Sequence, residues 1–364
     1  MKYYDVVIIG AGLFGLYAAY LFSSKGFKVA ILEKESDILE RASKTNQARI
    51  HRGYHYPRSF ETAQKTANYY YRFCDDFKFA ILNGFKQYYA IAKQDSKTSA
   101  QQYVQFCKKL DIPLKEVTKS LFFQKEKVEA LFQVEEACFN YLKIKEYFLK
   151  QFIHNEYVHI YYQTSPIRQR VLNSKYILTI NTTTSLLTTP LVINTTYSNV
   201  NFINKIFGFP GYAIKYELCE IRIYKMSNNL SKIGLTVMDG PFLSLMPFRD
   251  GSEHSMCSVT YSVLDTSYNL YNPYNLKNVK KKITKKNGGK TEALARSYLK
   301  NNIDFAYKGS FFEVKPILIS SENDDSRPTL ITLHSKNPYY ISVLSGKIST
   351  IYDLENKLRD YKLL

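Results

Sequence analysis

The start of the chain alternates short apolar runs with a longer segment of helical spacing. Residues 3–9 form a β-branched apolar run that predicts a buried parallel strand. Apolar positions recur at helical spacing over residues 13–25, and Gly26 is suited to end that helix. Residues 28–33 predict a second strand that ends in an acid. This order is that of a β-α-β unit, which takes about thirty residues.

The same patterns predict helices and strands that are interleaved along the rest of the chain. Helices are predicted over residues 61–78, 99–110, 140–154 and 347–358. Strands are predicted over residues 85–92, 158–162, 176–182, 191–195 and 339–344, and residues 212–261 alternate as in an antiparallel sheet. We expect the basic run at residues 277–290 to be a solvated loop or hairpin, with an anionic-surface contact as the alternative.

The net charge of the chain limits the kinds of binding partner that we expect. The net charge of +18 suits an anionic partner. No zinc-finger spacing or RNP-type motif accompanies it, and the richness in Lys, Asn, Tyr and Ile indicates a general compositional bias, so nucleic acid is not expected as a partner. His154 and His159 have no third ligand nearby, so no metal site is expected either.

Cysteine usage and hydropathy favour a cytoplasmic protein. The five cysteines are odd in number and none has C-x-x-C spacing, as expected of reduced thiols in the cytosol. The apolar start is interrupted by Asp5 and by three glycines, so we interpret it as neither a signal peptide nor a membrane span. The sequence leaves open a peripheral membrane contact and the oligomeric state.

A glycine fingerprint joins the first strand to the first helix. Gly10 permits a tight turn, Gly12 lets the backbone approach a pyrophosphate, and Gly15 lets the helix pack against the strand. The helix N-terminus adds free N–H groups and a positive dipole. Glu33 ends the second strand about 20 residues later, where a carboxylate can bind ribose hydroxyls. This context predicts a dinucleotide site but does not distinguish FAD from NAD.

Four segments that are distant in the sequence resemble one family. The segment from Arg41 to Pro57 (RASKTNQARIHRGYHYP) resembles the D-amino acid oxidase superfamily of flavoenzymes, and its L-2-hydroxyglutarate dehydrogenase branch in particular. Arg327-Pro328 is similar to the superfamily's Arg-Pro element, and Gly346-Lys347 to the turn that opens its last helix. Residues 192–196 are similar to a strand and turn that usually carry Ala-x-Gly, but the glycine is absent here.

The resemblance implies an α/β fold with a Rossmann-like FAD-binding domain and an interleaved antiparallel-sheet substrate domain. The FAD-binding domain would comprise residues 1–78, 140–205 and 325–364, and the substrate domain residues 79–139 and 206–324. Together, the fingerprint and the resemblance predict an FAD site formed by Gly10, Gly12, Leu13, Phe14, Gly15, Glu33, Lys34, Arg41, Thr45, Asn46, Gln47, Thr195, Gly346, Lys347 and Ile348.

Three residues are candidates for catalysis. Arg327 is expected to clamp a substrate anion, as the resemblance implies; an ion pair with Asp324 or Asp325 on a surface turn is the rival interpretation. If their segment is extended, His51 and His55 point to the same side, and either could accept a hydroxyl proton or neighbour the flavin. Arg49, Arg52 and Arg58 nearby are either solvated loop charges or attract an acidic substrate.

Three hypotheses for function follow. The first is an FAD-dependent oxidoreductase that transfers a hydride to flavin N5 from a small amino acid, amine or 2-hydroxy acid, with an anionic substrate favoured. The second is a flavoprotein that modifies a sugar or nucleotide-sugar in polysaccharide or secondary metabolism. The third is a non-catalytic nucleotide-binding or nucleic-acid-binding protein. The sequence does not identify the substrate, the electron acceptor or the mode of flavin attachment.

Overall fold

The computed structural model describes residues 1–182, 186–227, 230–279, 288–322 and 326–364. In chain order, its strands are β1 (Lys2–Tyr3), β2 (Val6–Ile9), β3 (Val29–Leu32), β4 (Arg49–Ile50), β5 (Lys86–Ala92), β6 (Leu114–Glu116), β7 (Val128–Val134), β8 (Ala137–Cys138), β9 (Val158–Tyr161), β10 (Pro166–Leu172), β11 (Lys175–Ile180), β12 (Leu186–Thr189), β13 (Leu191–Asn194), β14 (Ile214–Met226), β15 (Ile233–Met238), β16 (Leu243–Phe248), β17 (Glu253–Ser258), β18 (Val263–Ser267), β19 (Phe305–Leu318), β20 (Leu330–Lys336) and β21 (Tyr339–Leu344). Its helices are α1 (Leu13–Ser23), α2 (Ala42–Thr45), α3 (Phe60–Asp76), α4 (Ala100–Lys109), α5 (Tyr141–Ile153), α6 (Val200–Ile206), α7 (Leu276–Val279), α8 (Gly288–Tyr298) and α9 (Ile351–Asp360).

A six-stranded sheet is built from the start, middle and end of the chain. Its strand order is β20-β21-β13-β2-β3-β9, and β2, β3 and β13 are parallel and buried at every residue. Such strands are apolar throughout because both faces of the sheet are covered. Helix α1 follows β2 directly and is almost entirely buried, so the β-α-β unit predicted from the sequence is present.

The strand predicted over residues 3–9 is divided in two. β1 does not belong to the six-stranded sheet. It pairs with β12 in a separate four-stranded sheet of order β1-β12-β11-β10. Asp5 lies in the break, where its carboxylate accepts a hydrogen bond from the backbone amide of Lys28. A single polar residue therefore marks the point at which the chain changes sheets.

A nine-stranded sheet contains the remaining long strands. Its order is β18-β14-β17-β16-β15-β5-β7-β6, with β19 paired to β14. All its pairs are antiparallel except β5 with β15. The alternating pattern over residues 212–261 corresponds to β14 to β17, whereas β19 was not predicted. The boundaries of the five segments assigned to two domains stay a prediction.

Two other sequence expectations are wrong in detail. The basic run at residues 277–290 is not a loop at its ends, because α7 extends to Val279 and α8 begins at Gly288; the part between them lies outside the described residues. The last helix begins at Ile351, after a short 3-10 turn over residues 348–350, rather than at residue 347. Among the helices of the described ranges, none is both long and apolar enough to cross a membrane.

Candidate functional site

The glycine turn after β2 is fixed by close backbone contacts. Gly10 has φ +101°, and a Cβ there would lie 3.0 Å from the carbonyl oxygen of Thr195. A Cβ on Gly15 would lie 1.9 Å from the carbonyl oxygen of Gly10, a distance that no side chain tolerates. Helix α1 therefore packs directly on the turn, as the fingerprint predicts.

Glu33 lies beside this turn at the end of β3. Its carboxylate accepts hydrogen bonds from the backbone amides of Ala11 (2.6 Å) and Glu35 (2.8 Å). Burial raises the pKa of Glu33, and the two amide donors oppose that rise. At the start of α1, the Leu13 amide donates to the hydroxyl of Ser43 (3.1 Å), a residue absent from the predicted site.

Two adjoining cavities extend from the glycine turn to the nine-stranded sheet. The smaller, of about 270 Å³, lies over the turn, and the larger, of about 840 Å³, lies between the sheets. They share the lining residues Ala42, Tyr197, Glu313 and Ser345. The shared residues show that the two cavities adjoin each other.

The predicted site residues divide between these cavities. Those that line the smaller one are Gly10, Gly12, Leu13, Phe14, Glu33, Lys34, Arg41 and Thr195. Those that line the larger one are Thr45, Asn46, Gln47, His51, His55, Arg327, Gly346, Lys347 and Ile348. Gly15 lines neither cavity, because its role is to let α1 approach the turn.

The turn after β13 compensates for the glycine that is missing there. The Thr195 hydroxyl hydrogen-bonds with the carbonyl oxygens of Ile9 and Gly10, both at 3.0 Å. Thr196 has φ −85°, which any residue adopts, and the positive φ falls instead on Tyr197 at +53°. The turn after β13 is therefore formed without glycine.

Two of the family-like elements, Arg327-Pro328 and Gly346-Lys347, are in direct contact. A Cβ on Gly346 would lie 1.9 Å from the Arg327 carbonyl oxygen, and the Gly346 amide donates to the Thr329 hydroxyl (2.9 Å). The Arg327 guanidinium donates to the Ser326 carbonyl (2.7 Å) and borders the larger cavity. The rival ion-pair partners, Asp324 and Asp325, lie outside the described residues.

His51 and His55 are neighbours, but not for the reason expected. Their segment is a turn rather than an extended strand, because Gly53 has φ +101° and a Cβ there would lie 2.5 Å from a methyl of Leu110. The turn brings the two imidazole rings to a centroid distance of 5.3 Å, each also 5.3 Å from the ring of Tyr56. Both histidines border the larger cavity.

Behind His51 lies a buried polar network that sequence reasoning missed. Glu136, between β7 and β8, has a fully buried side chain, and its carboxylate lies 3.2 Å from His51 Nδ1. It accepts hydrogen bonds from the Tyr89 hydroxyl (2.9 Å) and the Arg52 backbone amide (3.3 Å). Arg49 donates in turn to Tyr89 (3.0 Å), so the network runs from Arg49 through Tyr89 and Glu136 to His51.

The interpretation of Arg49 as a solvated loop charge is wrong. Its side chain is only 3% exposed and also donates to Thr236 (2.8 Å) and Ser244 (2.5 Å) in the nine-stranded sheet. Arg52 is paired with Glu135 and Arg58 with Asp239. Arg49 therefore places an interior positive charge beside the larger cavity.

Arg41 joins the two sheets near the boundary of the cavities. It donates to both carboxylate oxygens of Glu313 on β19 (3.2 and 2.9 Å) and to Glu35 (3.0 Å). The side chain of Glu313 is 8% exposed. Like Glu136, Glu313 comes from a part of the chain in which no sequence signal pointed to the site.

The environment of the larger cavity lowers the pKa values of His51, His55 and Lys347 and so favours their neutral forms. Burial and the charges of Lys347 and Arg49 hold the pKa of His51 well below 6.5. Burial, followed by His51, Arg49, Lys347 and Arg327, does the same to the pKa of His55. Burial and Arg49 lower the pKa of Lys347 to about 7, and its ammonium lies 4.3 Å from the centre of the Tyr56 ring.

Comparison with known proteins agrees with this architecture. The fold is similar to that of L-α-glycerophosphate oxidase from Mycoplasma pneumoniae solved with FAD bound (TM-score 0.75, 14% identity, 100% of this chain and 95% of that chain). It is also similar to glycine oxidase from Geobacillus kaustophilus (TM-score 0.69, 12% identity, 99% and 94% covered). These structures support the predicted fold class, which is confirmed.

Sequence comparison identifies the family. FAD-dependent monooxygenase FPY4 of Fusarium mangiferae is 33% identical over 98 residues, a match that spans 26% of this chain and 26% of that relative. A family model described as FAD dependent oxidoreductase matches residues 5–266, most of the chain. The predicted family, enzyme class and cofactor are thus confirmed: the chain belongs to the D-amino acid oxidase family of FAD-dependent oxidoreductases.

Proposed function

We propose that this oxidoreductase oxidises a carbon bearing a hydroxyl or amino group in a small anionic molecule. The observation that supports this best is the set of cations at the larger cavity. Arg49, Arg327 and Lys347 all border it, and all three act electrostatically on His55. A carboxylate or phosphate that entered beside them would gain charge-assisted hydrogen bonds in a largely buried setting.

We propose that FAD lies along the two adjoining cavities. Gly10 and Gly12 present backbone rather than side chains at the smaller cavity, which suits a pyrophosphate, and the Glu33 carboxylate suits ribose hydroxyls. Tyr56 Oη and His55 Nδ1 are buried polar atoms with no hydrogen-bond partner among the described residues, as expected where a ligand completes the site. When bound, FAD supplies the two-electron acceptor for the reaction.

The neutral histidines suit the proton that the reaction releases. Oxidation of a 2-hydroxy acid to a keto acid removes one hydrogen from carbon with two electrons and one proton from the hydroxyl. Because the pKa values of His51 and His55 lie well below 6.5, both imidazoles are unprotonated at neutral pH and can accept that proton. An amine substrate needs this base less, because hydride loss from the neutral amine gives a stable iminium ion without removal of an N–H proton.

The names of the similar structures guide the choice of probes. Glycine and L-α-glycerophosphate, in the names of two fold neighbours, are both small molecules with an anionic group. At 12–14% identity these structures define only the fold, so neither molecule is assigned to this chain.

A substrate panel tests the proposal. The purified flavoprotein would be mixed anaerobically with 2-hydroxy acids, amino acids and phosphorylated alcohols, while loss of the flavin's visible absorption is followed. We expect at least one anionic class to bleach the flavin with saturation kinetics. Neutral sugars and nucleotide-sugars form the alternative arm. Bleaching confined to that arm would overturn the proposal and favour carbohydrate modification.

A further inference from the structure

The contacts of Glu136 distinguish the two histidines. His51 Nδ1 faces a carboxylate oxygen of Glu136, whereas His55 Nδ1 is buried without a hydrogen-bond partner among the described residues. Only one of the two imidazoles is therefore fixed by a protein side chain. The proposed function needs a base whose free nitrogen faces the cavity, so the direction of the proton on His51 decides whether it can act.

Hydrogen-bond direction around Glu136 follows from the chemistry of its neighbours. Arg49 can only donate, so it donates to the Tyr89 oxygen, and the Tyr89 proton points to Glu136 Oε2. The Arg52 backbone amide can also only donate, and it points to Oε1. An ionised carboxylate, which only accepts, satisfies both donors. The remaining neighbour, His51 Nδ1, must then donate as well.

The charges around this pair favour the ionised carboxylate. Burial raises the pKa of Glu136 above 4.5, while Arg49, Tyr89 and the Arg52 amide oppose that rise. On its cavity side, His51 faces His55, Tyr56 and the cation Lys347, with Arg327 beyond His55. Glu136 is the only acid in direct contact with the imidazole among the described residues.

We propose that Glu136 is a positioning residue that holds His51 with its hydrogen on Nδ1, which leaves Nε2 as the proton acceptor. The base of the proposed reaction is then His51 rather than His55. This assignment rests on the proposed function, but the tautomer itself does not. A carboxylate behind an imidazole also stabilises the imidazolium that forms when the proton is taken.

The tautomer is tested without any substrate. The flavin-loaded protein, labelled with nitrogen-15 at its six histidines, would be studied by long-range proton–nitrogen NMR at neutral pH, with a His51→Gln variant to assign the signal. We expect His51 to give the pattern of a neutral ring protonated at Nδ1. A ring protonated at Nε2 would overturn the inference. The test is valid even if the substrate panel gives no bleaching, so the two proposals fail separately.

Kinetics with the best substrate of the panel provide the second test. In Glu136→Gln, loss of the negative charge should lower the pKa of His51. The acidic limb of the pH profile of kcat/KM should therefore move to lower pH. The plateau should fall about 100-fold, within the range that general-base catalysis supplies. Glu136→Asp, which keeps the charge, should restore the position of the limb.

Glu135→Gln is the matched control. It makes the same chemical change one residue away, on a side chain that is 47% exposed and paired with Arg52. We expect this variant to keep the wild-type pH profile. If Glu136→Gln lowers only flavin occupancy or thermal stability and leaves the acidic limb in place, Glu136 is merely structural and the inference is wrong.

Discussion

Lys347 is an interior cation whose charge depends on pH in the neutral range. Burial and Arg49 lower its pKa to about 7, although its ammonium lies against the face of the Tyr56 ring. His51 and His55 are already neutral there, because their pKa values lie lower still. Near neutral pH, the change in the charge of the larger cavity with pH therefore comes mainly from Lys347.

This predicts that anion binding weakens as the pH rises. Lys347 loses its proton above about pH 7, so the affinity for a competitive carboxylate should fall by up to about tenfold per pH unit from there. Perturbation of the flavin spectrum measures this affinity. In Lys347→Arg, the decrease in carboxylate affinity should occur only at higher pH, because a guanidinium stays charged. A wild-type affinity that is constant between about pH 6 and about pH 9 would exclude Lys347 from the anion site.

Arg327 gives a second prediction at the scale of one residue. Arg327→Ala should weaken substrate binding about 10-fold to 100-fold, the effect of losing a charged hydrogen bond of about 1.5–3 kcal/mol. FAD should remain bound. Flavin occupancy and the substrate dependence of anaerobic bleaching measure the two effects. Arg327→Lys keeps the positive charge but lacks the planar guanidinium group. Its substrate affinity should therefore lie between those of the wild-type protein and Arg327→Ala. Unchanged reduction kinetics would show that Arg327 does not bind the substrate.

At the scale of elements, the junction of β21 and α9 is fixed by Gly346. Gly346→Ala would drive a Cβ into the Arg327 carbonyl, so we expect a loss of about 1–3 kcal/mol in unfolding free energy, together with lower flavin occupancy. Denaturant unfolding measures the first effect. Gly289→Ala is the control, because a Cβ there meets nothing within 4 Å in α8. Equal stability of the two variants would contradict the close contact.

The elements that were predictable are those with one uninterrupted pattern. The buried runs of β2, β3 and β13 and the helix α1 correspond to their predicted segments within a few residues. β19 was missed although it is long, because Gly309 and Pro316 interrupt it and Lys308 and Lys315 mask its alternation. Its partner β14 compensates by pairing along its whole length, a long-range effect that no local pattern contains.

At the scale of the whole molecule, the two cavities should bind the two halves of the cofactor. ADP alone should therefore stabilise the cofactor-free protein by about 2.7 kcal/mol at a concentration 100 times its Kd. Glu33→Arg should abolish this effect and flavin occupancy, because it removes a ribose acceptor and the partner of the Ala11 amide. Thermal unfolding and the visible spectrum measure both. Unchanged flavin occupancy in the variant would refute the location of the ribose site.

The site itself was predictable only where its residues adjoin a motif. The glycine turn, Glu33 and the segment from Arg41 to Pro57 are local, and family resemblance linked them to Arg327 and Gly346. Glu136 and Glu313 lie far from these motifs in sequence and carry no signal of their own. Arg49 was noticed only as one more positive charge, since its burial depends on β5, β15 and β16 folding around it.

We propose that an anionic group brings the substrate to the cations of the larger cavity. The most direct measurement is anaerobic stopped-flow reduction of the wild-type flavoprotein by the best anionic substrate and by its neutral amide or dephosphorylated counterpart. We expect complete bleaching by the anion and at least about tenfold lower efficiency for the neutral molecule. Equal efficiency for the two, or preference for the neutral one, would contradict it.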